Sequence, residues 1–318
     1  MKALFLCRIH QFEISDRISG CDKINDSLSI TNDTAYLRSM IDEQFQPVIG
    51  AMEWDDLFSG SPVAFSKAEI PDDMATKEYL TKKLYQLQSF ISSTWLTMDN
   101  SINMEIGFLL CDVENGIKAE SNLLSTMYTN CRGIIEPKTL TRSELSNMRK
   151  FYRDNIQFDD TQDRLTKISK DFERTDRALY MISTARCEND LGLKIANYCT
   201  VMEALLSTSQ TELSHQIAER LAYFIGTNPD ERISIYKSSK KAYNIRSKVV
   251  HGDTISANDI QALIPISEFC DQSIRKIFST LFRDKDLYLK VNDGKQFEEL
   301  MLNIIMGNQM NVISKAQS

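Results

Sequence analysis

Glycine and proline are scarce in this chain, 11 and 6 in 318 residues. That excludes collagen-like and low-complexity proteins and suits a mostly helical one. Long apolar runs are missing too: no stretch approaches the roughly 20 residues that span a bilayer. The start of the chain has an apolar core only from Ala3 to Cys7. This is too short for a signal segment, and no small-residue cleavage site follows it. The expectation is a cytoplasmic protein with no membrane partner. Histidine occurs three times, as His10, His215 and His251, without the spacing of zinc ligands. The seven cysteines form no Cys-x-x-Cys pair, and an odd, scattered set reads as reduced, buried thiols. Nothing points to a cofactor. Positive charge is in deficit, 37 Lys and Arg against 44 Asp and Glu, for a net −7. Broad nonspecific nucleic-acid binding is therefore disfavoured, and any such role needs a local basic patch.

What is present divides into two regions, with no internal repeat. Residues 1–160 read as a mixed α+β domain. Ala35–Met52 has apolar residues at helical spacing, and Lys77–Trp95 is a strong helix through Leu80, Leu84, Leu87 and Ile91. Asp56–Pro71 reads as a loop around Ser-Gly-Ser-Pro. Met104–Cys111 reads as a buried strand, Ile117–Tyr128 as a second, and Thr141–Tyr152 as a helix. The polar stretch Asp154–Asp163 is the best linker.

Residues 161–285 then read as helix after helix. One carries Leu165, Ile168, Phe172, Leu179 and Ile182. A second follows an Asp190 cap, with Ile195, Tyr198, Cys199, Met202, Leu205 and Leu206 in one stripe. A third holds Leu213, Ile217, Leu221 and Phe224 and stops at Gly226. Asn228-Pro229-Asp230-Glu231 starts a fourth, with Asn as cap and Pro at the first helical position. It continues to Gly252, with a candidate break at Ser238-Ser239. Ser256 caps a long last helix, in which Pro265 is a candidate kink. Residues 286–318 form an extension: a short strand or extended segment at Leu287–Val291, then a small helix at Phe297–Ile305. The fold class is thus mostly α, an α+β N-terminal domain followed by an all-α bundle.

The segment that carries chemistry is Arg232–Gly252. It holds Arg232, Lys237, Lys240, Lys241, Arg246 and Lys248, no acid, and Tyr236 and Tyr243 interleaved. Cations with aromatics suit phosphate contact and base stacking, so Lys237, Lys240, Lys241, Tyr243 and Lys248 are candidate RNA contacts. Charge alone fits a solvated helix face better. His251 shifts that balance. Placed before Gly252, it sits at a helix C-terminus among unpaired carbonyls, a setting that suits a cation. Histidine is also the side chain suited to moving protons near neutral pH. RNA supplies its own nucleophile, the 2′-hydroxyl. The protein needs only to take one proton, give another, and stabilise charge on the phosphorane. Arg246 can do the last through a bidentate contact. A histidine beside a capping glycine is, alternatively, a simple helix cap.

Ala242-Tyr-Asn-Ile-Arg-Ser-Lys-Val-Val-His-Gly252 resembles the Arg-x4-His signature of the HEPN superfamily. Upstream, Thr200-Val-Met-Glu-Ala-Leu-Leu206 is similar to its second-helix motif, with Glu203 as the acidic member. Gln216-Ile-Ala-Glu-Arg-Leu-Ala222 is similar to the third-helix pattern of the ApeA-like branch. The resemblance covers Thr175–Arg283. It implies a helical-bundle ribonuclease that works without metal, acting as a dimer with a shared cleft and leaving a 2′,3′-cyclic phosphate. It further implies a role in phage defence or as a toxin, with RNA, notably tRNA, as substrate. By that analogy Arg246 binds phosphate and His251 transfers protons. Ser247 orients them from the polar slot that Asn, Asp or His often fills. Glu203 pairs with Arg246 or fixes the cleft. A catalytically inactive HEPN module binding protein or nucleotide is the alternative.

Five residues along a regular helix make a rotation of about 140°. Arg246 and His251 then share a face only if the helix loosens near Val250, or if they come from two protomers. The N-terminal region is expected to sense or regulate, and the resemblance implies a phage protein, or a structure made during infection, as the trigger. Trp54, beside an Asp-rich loop, reads as a partner anchor or as a core residue. Asp55-Asp56, Asp72-Asp73 and Asp159-Asp160 read as solvated acids before metal ligands.

Overall fold

The computed structural model describes residues 1–71, 74–113, 116–157, 166–209 and 211–307. Asp72-Asp73, Asp159-Asp160, Leu165 and most of the expected linker lie outside these. The chain divides into two compact units, one made of residues 1–95, 100–128 and 135–162, the other of 96–99, 129–134 and 163–318.

The first unit is built on strand β1 (Lys2–His10), whose apolar run Leu4–Cys7 is buried throughout. Beside it are β2 (Phe12–Ile14), β3 (Asp22–Lys23), β4 (Ser29–Thr31), β5 (Val63–Glu69), β6 (Asn103–Val113), β7 (Gly116–Leu123) and β8 (Lys138–Leu140). Six strands make one sheet in the order β3-β4-β5-β1-β6-β7, while β2 pairs with β8. Every pairing in the large sheet is antiparallel. The expected strands at Met104–Cys111 and Ile117 onward are β6 and β7, although β7 ends at Leu123. The expected loop Asp56–Pro71 contains β5. Its Val63-Ala64-Phe65 run is buried, and Ser-Gly-Ser-Pro is only the turn that leads into it.

The single helix expected over Ala35–Met52 is broken into α1 (Thr34–Arg38), a 3-10 turn (Glu43–Phe45), α2 (Gln46–Ile49) and α3 (Ala51–Leu57). The Asp42 carboxylate accepts the Gln44 N–H and restarts the chain, and Gly50 at φ 107° ends α2. Of the residues at the expected spacing, Leu37, Ile41 and Phe45 join Leu4, Leu6, Phe65, Phe108 and Leu110 in one core, which Ile49 completes while Val48 is exposed. Trp54 is part of that core at 4% exposure, which removes it as a surface anchor. Asp56 is engaged by Arg8. Helix α4 (Thr76–Thr97) packs close at Gly107, where an added Cβ would lie 2.6 Å from Leu84. Helix α5 (Arg142–Asn155) starts from a Thr141–Glu144 capping box.

The second unit is helical: α6 (Arg174–Cys187), α7 (Leu191–Leu206), α8 (Leu213–Ile225), α9 (Pro229–His251), α10 (Ala257–Arg283), α11 (Lys285–Asn292) and α12 (Gly294–Ile305). The expected caps act as such. The Asp190, Asn228 and Ser256 side chains accept the N–H of Leu193, Glu231 and Asp259. Three expectations change. The first helix starts at Arg174, not near residue 165. Helix α9 does not break at Ser238-Ser239: Ser239 is buried and its hydroxyl donates to the Ile235 carbonyl inside the turn. Leu287–Val291 is helical, because Asp284 caps Leu287 N–H and Leu287 and Val291, four apart, bury together. No helix among the described residues is long and apolar enough to cross a membrane.

Two short segments from the first half of the chain complete this unit. Thr129 donates its N–H to the Arg186 carbonyl at 2.7 Å and its hydroxyl to that of Glu188 at 2.7 Å. The Asp99 carboxylate accepts the Cys131 N–H at 3.0 Å. The Ser267 hydroxyl donates to the Cys131 carbonyl at 2.5 Å. Gly133, at φ 72°, leaves no room for a Cβ against the Asn189 carbonyl.

Candidate functional site

Helix α9 carries most of the residues singled out from the sequence. It stays α-helical through His251, and Gly252, at φ 73°, closes it in the left-handed conformation. The Gly252 and Asp253 N–H groups fold back onto the Lys248 and Val249 carbonyls. The helix therefore does not loosen near Val250, and Arg246 and His251 leave it in directions about 140° apart.

Arg246 turns towards α7, with 31% of its side chain still exposed. Its Nη2 lies 3.6 Å from Oε1 of Glu203 on α7, an ion pair too long for a hydrogen bond. Tyr243, one turn earlier, is buried at 6% exposure. Its phenol is pushed well up by burial, then by the neighbouring Cys199 and Glu203. Three atoms of this group, Glu203 Oε1, Tyr243 Oη and Arg246 Nε, are buried without a hydrogen-bond partner among the described residues. A half-satisfied buried cluster is the kind of place where a polar group is held ready for another partner. Tyr243 offers no free ring face, which corrects its assignment as a base-stacking residue.

Lys241 and Lys248 turn towards α10. Both donate to Asp259, at 2.5 and 2.6 Å, and Ser256 donates to it as well at 2.7 Å. These contacts hold the Asp259 carboxyl well below the usual carboxylate range. Its side chain is 4% exposed. The basic segment is thus partly neutralised from outside itself, and two expected RNA contacts are occupied.

The remaining residues share the outward face. Lys237, Lys240, Asn244, Ser247 and His251 are all exposed. Their spacing of three and four places them within an arc of about 80°. From Lys237 to His251 the stripe is about 21 Å long. His251 forms no hydrogen bond or ion pair among the described residues, and Ser247 lies one turn before it. The structure therefore joins His251 with Ser247, Lys240 and Lys237, and joins Arg246 with Glu203 and Tyr243. It does not bring the two halves of the motif together within one chain.

Two further features were missed by the sequence reading. His215, at the start of α8, bonds through Nδ1 to the Tyr236 hydroxyl at 2.9 Å, and beside it Lys240 donates to the Ser214 hydroxyl at 2.8 Å. Asp99, Cys131 and Asp271 also bring ligand atoms within 4.8 Å of one another. That group already has its countercharge. Arg275 donates to Asp271 at 2.8 Å, Tyr198 donates to it at 3.1 Å, and Lys194 is buried close by. Burial brings Lys194 down to about 8. Added positive charge from a divalent ion would meet these cations at short range in a low-dielectric interior. No family model, curated protein or solved structure matches the chain.

Proposed function

We propose that this protein is a metal-independent RNA endonuclease of the HEPN type. One observation carries the reading: His251 stands exposed at the end of a helix stripe that also presents Lys237, Lys240 and Ser247. In this reading the lysines hold the phosphate backbone. His251 takes the 2′-hydroxyl proton as the 2′-oxygen bonds to phosphorus, and gives a proton to the 5′-oxygen as the P–O5′ bond breaks. Arg246 carries the phosphorane charge. The products are a 2′,3′-cyclic phosphate and a 5′-hydroxyl end. Arg246 and His251 of one chain diverge, so a homodimer, with the arginine of one copy facing the histidine of the other, is the arrangement that unites them. Exposed Val250 and Ile260, at 58% and 57%, lie on α9 beside His251 and at the start of α10 and suit such an interface. A role in phage defence or as a toxin, and tRNA as substrate, follow from the family resemblance, and a cytoplasmic place from the short apolar start and the scattered cysteines. The first unit would then sense or regulate, with a phage protein as trigger.

A second reading has its own support. The ion pair of Arg246 with Glu203 favours a catalytically inactive module that binds protein or nucleotide. An RNA substrate against the same strand with 2′-deoxy sugars separates the two. Cleavage of the first only, with a cyclic phosphate on the 5′ fragment, is the expected outcome. Binding of both without cleavage supports the module.

A further inference from the structure

We infer that His215, Tyr236, Lys240 and Ser214 form a phosphate subsite for single-stranded RNA, built between the start of α8 and the middle of α9. The inference rests on the RNA reading and deepens it by naming where the strand is held away from His251.

Neither helix supplies this group alone. His215 and Ser214 come from α8, Tyr236 and Lys240 from α9, and the pairs are 21 and 26 residues apart in sequence. The His215 and Tyr236 rings meet edge to face, with centroids 5.9 Å apart. The hydrogen bond between Tyr236 Oη and His215 Nδ1 fixes the imidazole in place. With the phenol donating, the ring proton resides on Nε2, and the exposed ring keeps an N–H donor. Lys240 has three donors, and Ser214 uses one of them. No ion pair neutralises Lys240 among the described residues, in contrast to Lys241 and Lys248, which share Asp259. In that tautomer the group offers an N–H, an ammonium with no ion-pair partner among the described residues, and two aromatic rings at one place. The donors suit a phosphodiester oxygen, and the rings suit an unstacked base. A bare anion would use the donors and leave the rings idle.

Position adds to this. Lys240 belongs to the same exposed stripe as His251, eleven residues or about 16 Å before it. A strand lying along α9 is then held at two points, at the subsite and at the histidine, with Asn244 and Ser247 between them. Arg246, Lys241 and Lys248 lie off this track. The two-point arrangement assigns the subsite to positioning the strand and His251 to the scissile bond.

The test is binding of a fluorescently labelled 12-nucleotide oligouridylate to the full-length His251→Ala protein, which should hold the strand uncut. His215→Ala and Lys240→Ala are expected to weaken binding about five- to tenfold, and Lys240→Ala to lower the slope of log affinity against log salt by about 0.7. Tyr236→Phe keeps the ring and loses the hydroxyl, so a smaller loss of about threefold is expected. All three positions lie at the surface, and circular dichroism checks that the fold is kept. Affinities within twofold of the parent for both His215→Ala and Lys240→Ala, with an unchanged salt slope, overturn the subsite and leave the RNA reading standing. A His251→Ala parent that binds no oligouridylate at all removes the RNA reading itself, and the subsite with it.

Discussion

Arg246 and Glu203 face each other across α9 and α7 with Nη2 and Oε1 3.6 Å apart. The pair is close enough to attract and too far to hydrogen-bond. That carboxylate oxygen and the guanidinium Nε are buried atoms without a hydrogen-bond partner among the described residues. An arginine held this way keeps its fork only partly committed. Its proposed role is to deliver that fork to a phosphate that a second copy of the chain presents.

Arg246→Lys tests that role. Lysine keeps the charge but loses the planar pair of donors that can grip two phosphate oxygens. RNA cleavage is expected to fall about tenfold or more, equivalent to ~1.4 kcal/mol of lost transition-state stabilisation. Comparison of single-turnover rates checks it. A rate near wild type would reduce Arg246 to a general positive charge.

Asp259→Asn is expected to act in two directions. At neutral pH it removes the shared partner of Lys241 and Lys248, which lowers stability and releases two cations towards the α9 surface, so oligonucleotide binding tightens. The stability effect depends on pH. The folded carboxyl titrates below its unfolded value of about 3.9. As pH falls, the unfolded chain takes up the proton first. The stabilisation present above that value is lost as pH drops towards the folded pKa. Chemical denaturation of both proteins, at neutral pH and again below pH about 4, should show the gap closing. A gap that is constant with pH would mean that the ion pairs contribute nothing.

The way these charges pair explains what the sequence could and could not disclose. Three helix starts were legible because their caps are local: Asp190, Asn228 and Ser256 each act within three residues. The position of His251 at a helix end was legible for the same reason, through Gly252. The basic segment contains no acid, yet its neutralising acid lies just beyond it, at the start of the next helix, where Ser256 and Asp259 turn back. Strand β1 was read only as too short for a signal, although a buried central strand is also a short apolar run. The His215–Tyr236 pair left no signal, since its members meet only when α8 packs on α9. Tyr243 lies 20° from Tyr236 around the helix by periodicity, so burial of one and partial exposure of the other came from neighbours that the sequence does not name.

A chain beginning at residue 161 is expected to fail as an independent domain. It lacks 96–99 and 129–134, which belong to the helical unit. Without them the Arg186, Glu188 and Ser267 partners of Thr129 and Cys131 are lost, and Asp99 no longer sits beside buried Lys194 and Asp271. Each buried donor or acceptor left without its partner costs about 1–3 kcal/mol. Expression of residues 161–318 should give little soluble, cooperatively folding protein. A soluble fragment with a sharp thermal transition would show these segments to be dispensable.

The most direct measurement is RNA cleavage by the wild-type protein and by His251→Ala, side by side, in excess EDTA. The proposed chemistry uses the 2′-hydroxyl of the substrate as nucleophile and His251 for the proton. Wild type should therefore cut under chelation and leave a 2′,3′-cyclic phosphate. His251→Ala should be slower by about 10²- to 10⁴-fold while unfolding at a similar temperature, because His251 is exposed and makes no hydrogen bond or ion pair among the described residues. Cleavage by a well-folded His251→Ala protein at the wild-type rate, or wild-type activity lost to EDTA and restored by a divalent ion, would contradict this mechanism.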